Sequence, residues 1–313
     1  MPAPGRPRSI STSADLPGTA TGGSGREPVW RHHLMREGER PDLALAAYDG
    51  DAAKAVLVAD AEPRFHRFAG ADVLVLRGIN LNTGDRPEDM VSLRILIANG
   101  RVETLARRPV RAVEATQSYA AAHPEARAGE IVLHLIESLV ARLNDNVDEL
   151  SDKLDELEDR IESPGPNPEP QHLARLRRRA IWLHRFCHPQ ARALDDAAAA
   201  HPEWLDRAGR VRLNEQRHAM ARIVADLAVL RDHSRILQER SDQELRERAR
   251  RTSFALTLIA GVFLPLNLVG ALFGANVGGI PFADDPLGFW YLLGSLLALV
   301  AVELALLRWL RWI

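Results

Sequence analysis

The residues best suited to contact a cation lie near the C-terminal end of the chain. The triplet Gly274-Ala275-Asn276 closes a long uncharged stretch, and counting back from Asn276 at near-helical intervals gives a stripe that contains the polar residues of this segment. The stripe comprises Ser253, Thr257, Ala260, Leu264, Asn267 and Ala271. Amide, hydroxyl and carbonyl oxygens suit a hydrated divalent ion, because neutral ligands bind weakly enough to release it. The stretch from Thr252 to Gly274 has no Asp, Glu, His or Cys, so it cannot form a tight zinc site of soft ligands.

Two other groups of residues are weaker candidates for binding metal. Asp284 and Asp285 follow the triplet and would concentrate cations at its mouth, although ordinary loop solvation also explains them. His184, Cys187 and His188 have the helical spacing of zinc ligands, but no fourth ligand is evident nearby and the neighbouring residues are basic.

Glu303 is a candidate proton carrier, because acids within membrane segments often have a function. It lies about one turn from the end of its apolar segment, close in sequence to Arg308. An ion pair or an interfacial position is therefore the favoured explanation.

The distribution of charge predicts a membrane protein with a large soluble N-terminal part. Residues 252–283 contain no charged side chain, and residues 286–307 contain only Glu303. Each segment exceeds the ~20 apolar residues that cross a bilayer, which predicts spans at about 252–273 and 288–307. The net charge of -2 in 313 residues gives no sign of a nucleic-acid partner. No catalytic motif indicates an enzyme or a resident cofactor.

The charges that flank the spans predict their orientation. The sequence RERARR precedes the first span, Arg308 and Arg311 end the second, and the loop between the spans is acidic. By the positive-inside rule both termini are cytoplasmic. Cys187 is the only cysteine, which agrees with a reducing cytosol.

The residue composition of the soluble part changes along the chain. Residues 1–27 are rich in Pro, Gly, Ser and Thr, which predicts a disordered leader. Residues 28–130 are expected to form an α/β domain, because RFHRF, DVLVLRGIN, VSLRILIA and RVETLA have strand composition and are separated by turn signals at Gly70, Gly84 and Asn99-Gly100.

Residues 131–251 are expected to form a helical stalk that leads into the transmembrane part, 252–313. Apolar residues recur in steps of three or four at Leu135, Leu139, Leu143, Val147, Leu150, Leu154, Leu157 and Ile161. The outer face of this helix is acidic, which either is ordinary solvation or concentrates cations. An Arg-rich helix follows as its expected antiparallel partner, and a single helix is then predicted over 211–273.

The sequence resembles the CorA superfamily of divalent-cation transporters, and its detailed motifs are similar to those of the zinc-transporter branch, ZntB. The similarity is carried by LRGINLNTGDRPEDMVSLR (Leu76 to Arg94) and by FLPLNLVGALFGANVGGIP (Phe263 to Pro281). The resemblance implies an α+β chain in a homopentameric funnel in the bacterial inner membrane, with five first spans around a pore and the second spans in contact with lipid. Transported Zn²⁺ would meet Asn276 through its hydration shell.

The chain departs from the magnesium-selective members, which carry Gly-Met-Asn where this chain has Ala275 in the middle position. That difference argues against Mg²⁺ without establishing Zn²⁺. Three hypotheses follow. The chain is a pentameric zinc transporter, passive or coupled to the proton gradient; a broader channel for Mg²⁺, Co²⁺ or Ni²⁺; or a membrane-anchored coiled-coil scaffold.

Overall fold

The fold consists of two compact units, residues 1–238 and 239–313. The structure is a computed structural model that describes residues 28–35, 50–57, 62–80, 84, 89–163, 170–274 and 286–309. The predicted leader, 1–27, lies outside the described residues.

A five-stranded sheet forms the centre of the first unit. Its strands are β1 (Trp30–Leu34), β2 (Arg64–Phe68), β3 (Ala71–Gly78), β4 (Val91–Ala98) and β5 (Arg101–Ala106), in the spatial order β1-β5-β4-β3-β2. Strands β2 to β5 form an antiparallel meander, whereas β1 pairs with β5 in parallel. The prediction of β2 to β5 is confirmed, and β1 was not predicted.

The turns of the meander lie where the sequence predicts them. Asn99 and Gly100 join β4 to β5 with φ values of 50° and 70°. Two consecutive positive φ values are typical of the tight hairpin turn that Asn-Gly favours. Gly70, between β2 and β3, also has a positive φ.

The two faces of the sheet pack against different helices. Helix α1 (Gly50–Leu57) covers the face that carries Val73, Val75, Leu96 and Leu105. The opposite face carries Leu74, Leu76, Ile95 and Ile97, which belong to a larger core shared with the helices that follow. The sheet is therefore buried on both faces in its central strands.

Helices α2 (Arg111–Ala122), α3 (Ala128–Glu162), α4 (Pro170–Ala199) and the first part of α5 (Arg207–Gly274) complete the first unit. The predicted apolar stripe of α3 is buried throughout, with Leu157 partly buried. The facing residues of α5 are buried as well, namely Leu213, Met220, Ile223, Leu227, Leu230 and Leu237. The long unbroken helix is thus confirmed.

Helix α5 begins four residues earlier than predicted because Asp206 caps it. The Asp206 carboxylate accepts a hydrogen bond from the Gly209 backbone N–H at 2.7 Å, which satisfies one of the donors that a helix start leaves open. The predicted domain boundaries after residues 130 and 251 lie within α3 and α5, and they stay predictions.

The second unit contains the apolar end of α5 and helix α6 (Gly288–Trp309). Both helices are long and apolar enough to cross a membrane, with mean hydropathies of 2.1 and 2.0, and no residue of these apolar windows is buried within the chain. The expected fold class, an α/β domain with a long helix and two apolar C-terminal helices, is confirmed.

Candidate cation pathway

The apolar part of α5 has two distinct faces. Its half-buried residues are Leu258, Val262, Pro265, Leu266 and Val269. At about 100° per residue these positions cluster on one side of the helix. These are the least exposed positions of the apolar segment, in which no residue is fully buried.

The predicted polar stripe lies on the opposite side of α5. All six of its residues, Ser253, Thr257, Ala260, Leu264, Asn267 and Ala271, are exposed. The Thr257 hydroxyl donates a hydrogen bond to the Ser253 carbonyl at 2.9 Å, so its oxygen keeps lone pairs that a cation or water can use. In hydrocarbon, polar groups at this depth require contact with protein or water.

Helix α6 differs from α5 in the residues that it exposes. Phe289, Trp290 and Tyr291 are exposed at its start, and Trp309 is 79% exposed at its end. Aromatic residues at both ends of a span are typical of the two membrane–water interfaces. This pattern agrees with the expectation that the second span contacts lipid.

The mouth of the predicted pathway is only partly described. Gly274 is the last residue of α5, and a Cβ added there would meet nothing within 4 Å of this chain. Ala275, Asn276, Asp284 and Asp285 lie outside the described residues. Their roles stay predictions.

The structure does not bring His184, Cys187 and His188 together as metal ligands. Cys187 is fully buried in the helical core, and burial raises the pKa of its thiol to about 12. The His184 and His188 rings stack on each other with centroids 5.9 Å apart, and His188 is exposed. Within the described ranges no group of three or more His, Cys, Asp or Glu residues could hold a metal ion. Adjacent positions on a helix point about 100° apart, so Cys187 and His188 face different surroundings.

Acidic side chains of α3 contact basic side chains of α5, and one of them is influenced by the charge of an arginine on α4. Arg212 of α5 donates two hydrogen bonds to the Glu137 carboxylate, at 2.8 and 2.7 Å, and Glu158 contacts His233 of the same helix at 3.2 Å. The pKa of Glu149 is lowered, mainly by its hydrogen bond with Lys153 and also by the charge of Arg179 on α4. The sequence predicted only α4 as the helix that pairs with the acidic face of α3.

A buried carboxylate that sequence reasoning missed connects the sheet to the start of α5. Asp72, 6% exposed, accepts hydrogen bonds from Arg67 Nε at 2.8 Å, from Arg67 Nη2 at 3.0 Å and from Trp204 Nε1 at 2.8 Å. Arg67 also donates to the Ala200 carbonyl at 2.7 Å. The connection between α4 and α5 is thereby fixed to the β2–β3 hairpin. An Asp within a run of apolar strand residues is the one signal that could have revealed it.

The edge strand β1 contributes a second polar cluster. Trp30 Nε1 donates to Thr104 Oγ1 at 2.9 Å, and His32 Nδ1 lies 3.0 Å from the same oxygen. His33, on the other face, contacts the buried carboxylate of Glu103 at 2.7 Å. Burial, with a smaller contribution from His33, lowers the pKa of His32 to about 4.

An α/β domain, a helical bundle and an unbroken helix that continues into one of two apolar C-terminal segments define an integral membrane protein with a soluble N-terminal domain. The chain belongs to the CorA-like Mg²⁺ transporter family, whose profile matches residues 29–309.

Individual relatives agree with this assignment. The chain is 34% identical over 254 residues to the "Divalent cation transporter CmaX" of Pseudomonas aeruginosa, covering 80% of this chain and 76% of the relative. It is 28% identical over 252 residues to the "Zinc transport protein ZntB" of Pectobacterium carotovorum, covering 80% and 77%. The solved structure of full-length CmaX superposes with a TM-score of 0.79 at 30% identity, over 94% of this chain and 91% of that one.

Proposed function

We propose that the chain transports divalent metal cations across the bacterial inner membrane, with Zn²⁺ as the favoured substrate, through a pore formed by several copies of α5. One observation carries the proposal: the polar stripe of α5 is exposed in the single chain, on the side opposite its half-buried face. Asn267 and Thr257 are costly to expose to lipid, so neighbouring copies and a water-filled path provide the natural cover. Family membership leads us to propose a homopentamer with the α6 helices outermost.

The stripe favours transfer of an ion that keeps much of its water. Its side chains offer hydroxyl and amide oxygens without a charge, and the apolar segment from Thr252 to Gly274 contains no carboxylate, imidazole or thiol. Such ligands bind a divalent ion weakly and at several levels, so that the ion enters and leaves. A tetrahedral site of Cys and His would instead hold Zn²⁺ tightly.

The mouth of the pore is assigned from the sequence alone. In this proposal Gly274 and Ala275 leave the opening wide, and Asn276 presents a ring of amide oxygens to the hydrated ion. Asp284 and Asp285 of each copy raise the local cation concentration and repel anions. Replacement of Asn276 by Ala is expected to abolish transport while assembly persists. Unchanged uptake in Asn276→Ala protein of normal oligomeric size would refute this role.

The identity of the metal has two candidates. Similarity to proteins named ZntB and the Ala275 position favour Zn²⁺. The higher identity to CmaX, which is named a divalent-cation transporter, favours a broader range that includes Mg²⁺, Co²⁺ or Ni²⁺. Uptake of Zn²⁺ and Mg²⁺ into proteoliposomes, with and without a pH gradient, separates the two and tests proton coupling.

The same experiment tests the alternative that the chain is a membrane-anchored scaffold. The family match over residues 29–309 and the full-length similarity to CmaX favour transport. Absence of flux for every divalent cation, with protein that is correctly inserted and oligomeric, would leave only the scaffold. In the orientation that we propose, both termini are cytoplasmic and the acidic loop faces outside.

A further inference from the structure

The face of α5 that carries the polar stripe continues beyond the apolar segment, toward the N-terminus of the helix. Arg246 precedes Ser253 by seven residues and Thr257 by eleven, and the helix is unbroken between them. At about 100° per residue both steps return to within about 20° of the direction of Arg246, and a rise of ~1.5 Å per residue places it about 10 Å before Ser253. Arg246 therefore occupies the next level of the stripe, at the end of the span that lies in the cytoplasm in the proposed orientation.

Arg246 carries a positive charge that no ion pair offsets within the described part of the chain. Its side chain is exposed and forms no hydrogen bond or ion pair with a described residue. The neighbouring arginines do have acidic partners. Arg250 donates two hydrogen bonds to the Glu247 carboxylate, both at 3.1 Å, and Arg248 lies 3.8 Å from Glu244.

The segment that adjoins the first span is positively charged overall. Residues 246–251 contain four Arg and one Glu. Asp242 lies one turn before Arg246 on the same side of the helix, but it is half-buried and makes no ion pair with Arg246 among the contacts of the described residues. A cation that moves along the stripe therefore passes from neutral oxygen ligands to a level of positive charge.

We propose that Arg246 forms a ring of positive charge at the cytoplasmic end of the cation path and limits the rate at which divalent ions pass. This inference rests on the proposed function, because the ring exists only where several copies of α5 surround one path. An ion about 10 Å from five guanidinium groups is repelled, and after screening by salt the local concentration of a divalent ion falls by about tenfold. A monovalent ion has half the charge, so its concentration falls only about threefold. The ring thus affects both the rate and the preference for ion charge.

Flux measurements on charge variants test the effect of the ring. In full-length protein in liposomes at about 0.15 M salt, Arg246→Gln should raise the rate of Zn²⁺ uptake by about tenfold. Arg248→Gln removes the same charge about 160° further round the helix and should change uptake less than about twofold. Arg246→Lys keeps the charge and should behave like the wild type. Equal uptake in Arg246→Gln and wild type, or an equal rise in both Gln variants, would overturn the proposal.

Ionic strength provides a readout that a merely structural role of Arg246 would not change. The screening length falls from ~30 Å at 0.01 M salt to ~8 Å at 0.15 M, so the repulsion by the ring weakens as salt is added. All other charges are common to both proteins, so the ratio of Zn²⁺ uptake by Arg246→Gln to uptake by wild type should fall as salt rises. A ratio that does not depend on salt would contradict an electrostatic role.

Cross-linking tests the position of Arg246 without reference to transport. Arg246→Cys places a thiol on the stripe and Arg248→Cys places one on the opposite side, while the native Cys187 is buried. A flexible bismaleimide added to full-length protein in liposomes should join copies through Arg246→Cys, seen as dimers on a denaturing gel, and leave Arg248→Cys monomeric. Cross-links through Arg248→Cys alone would overturn the proposal. Absence of divalent flux in the wild type would refute the proposed function and the effect on rate, whereas cross-linking would still decide whether the ring exists.

Discussion

Replacement of Asp72 by Ala should destabilise the first unit strongly. The substitution leaves the partly buried Trp204 N–H without its acceptor, at a cost of about 1–3 kcal/mol. It also removes the partner of Arg67, whose side chain is 44% exposed and can be rehydrated, so that this loss adds only about 1 kcal/mol. We expect a total of about 3 kcal/mol.

The single cysteine of the chain provides the assay. Cys187 is fully buried in the core of the first unit, so a maleimide reaches its thiol only when the surrounding structure opens. In full-length protein in detergent, a loss of 3 kcal/mol should accelerate labelling by about 100-fold, since each 1.4 kcal/mol is a factor of ten.

Two further variants make the result specific. Trp204→Phe removes the N–H donor together with part of a ring that packs against the core, and it should accelerate labelling by about tenfold. Glu114→Ala removes an exposed ion pair with Arg111 and should change the rate less than about threefold. If Asp72→Ala behaves like Glu114→Ala, the buried carboxylate does not hold the α4–α5 connection to the sheet.

The remaining predictions concern acid stability and helix packing. Because the pKa of His32 is lowered from 6.5 to about 4, the unfolded chain takes up a proton below pH 6.5 that the folded chain does not, and up to about 3 kcal/mol of stability is lost as the pH falls to about 4. In His32→Gln the melting temperature, measured by circular dichroism, should fall less steeply as the pH is lowered from 6.5 to about 4. If the melting temperature of the variant falls with pH as steeply as that of the wild type, the prediction is contradicted. In Gly129→Ala the new Cβ would lie 2.3 Å from the Trp204 carbonyl oxygen, so we expect a loss of about 1–3 kcal/mol in the same melting assay. Ala141→Ser, at an exposed position of the same helix, should stay within about 0.5 kcal/mol of wild type, and similar losses in both would exclude the clash as the cause.

Much of the fold could be predicted from sequence because its signals are local. Asn99-Gly100 specifies a tight turn, and the apolar periodicity of α3 and α5 specifies which faces are buried. Strand β1 escaped prediction since it lacks an alternating pattern and pairs in parallel with β5, more than 70 residues away. Such a pairing leaves no local signal.

In the candidate pathway, too, some features could be predicted from local sequence and others could not. The stripe through Thr257 and Asn267 could be placed on one helix face from spacing alone, and the structure puts it opposite the half-buried face. Composition could not decide which basic helix pairs with Glu137, because α4 and α5 are both rich in Arg. Nor could spacing show that the thiol of Cys187 is enclosed in the core while His188 faces outward.

Cysteine substitution on α5 tests the central claim most directly. Asn267→Cys places a thiol on the stripe, and Val269→Cys places one on the half-buried face; the native Cys187 stays buried and unreactive in both. In proteoliposomes that take up Zn²⁺, a water-soluble thiol reagent should block flux through Asn267→Cys and leave Val269→Cys unaffected. Block of Val269→Cys alone, or of neither variant while both transport, would show that the stripe does not line the path of the ion.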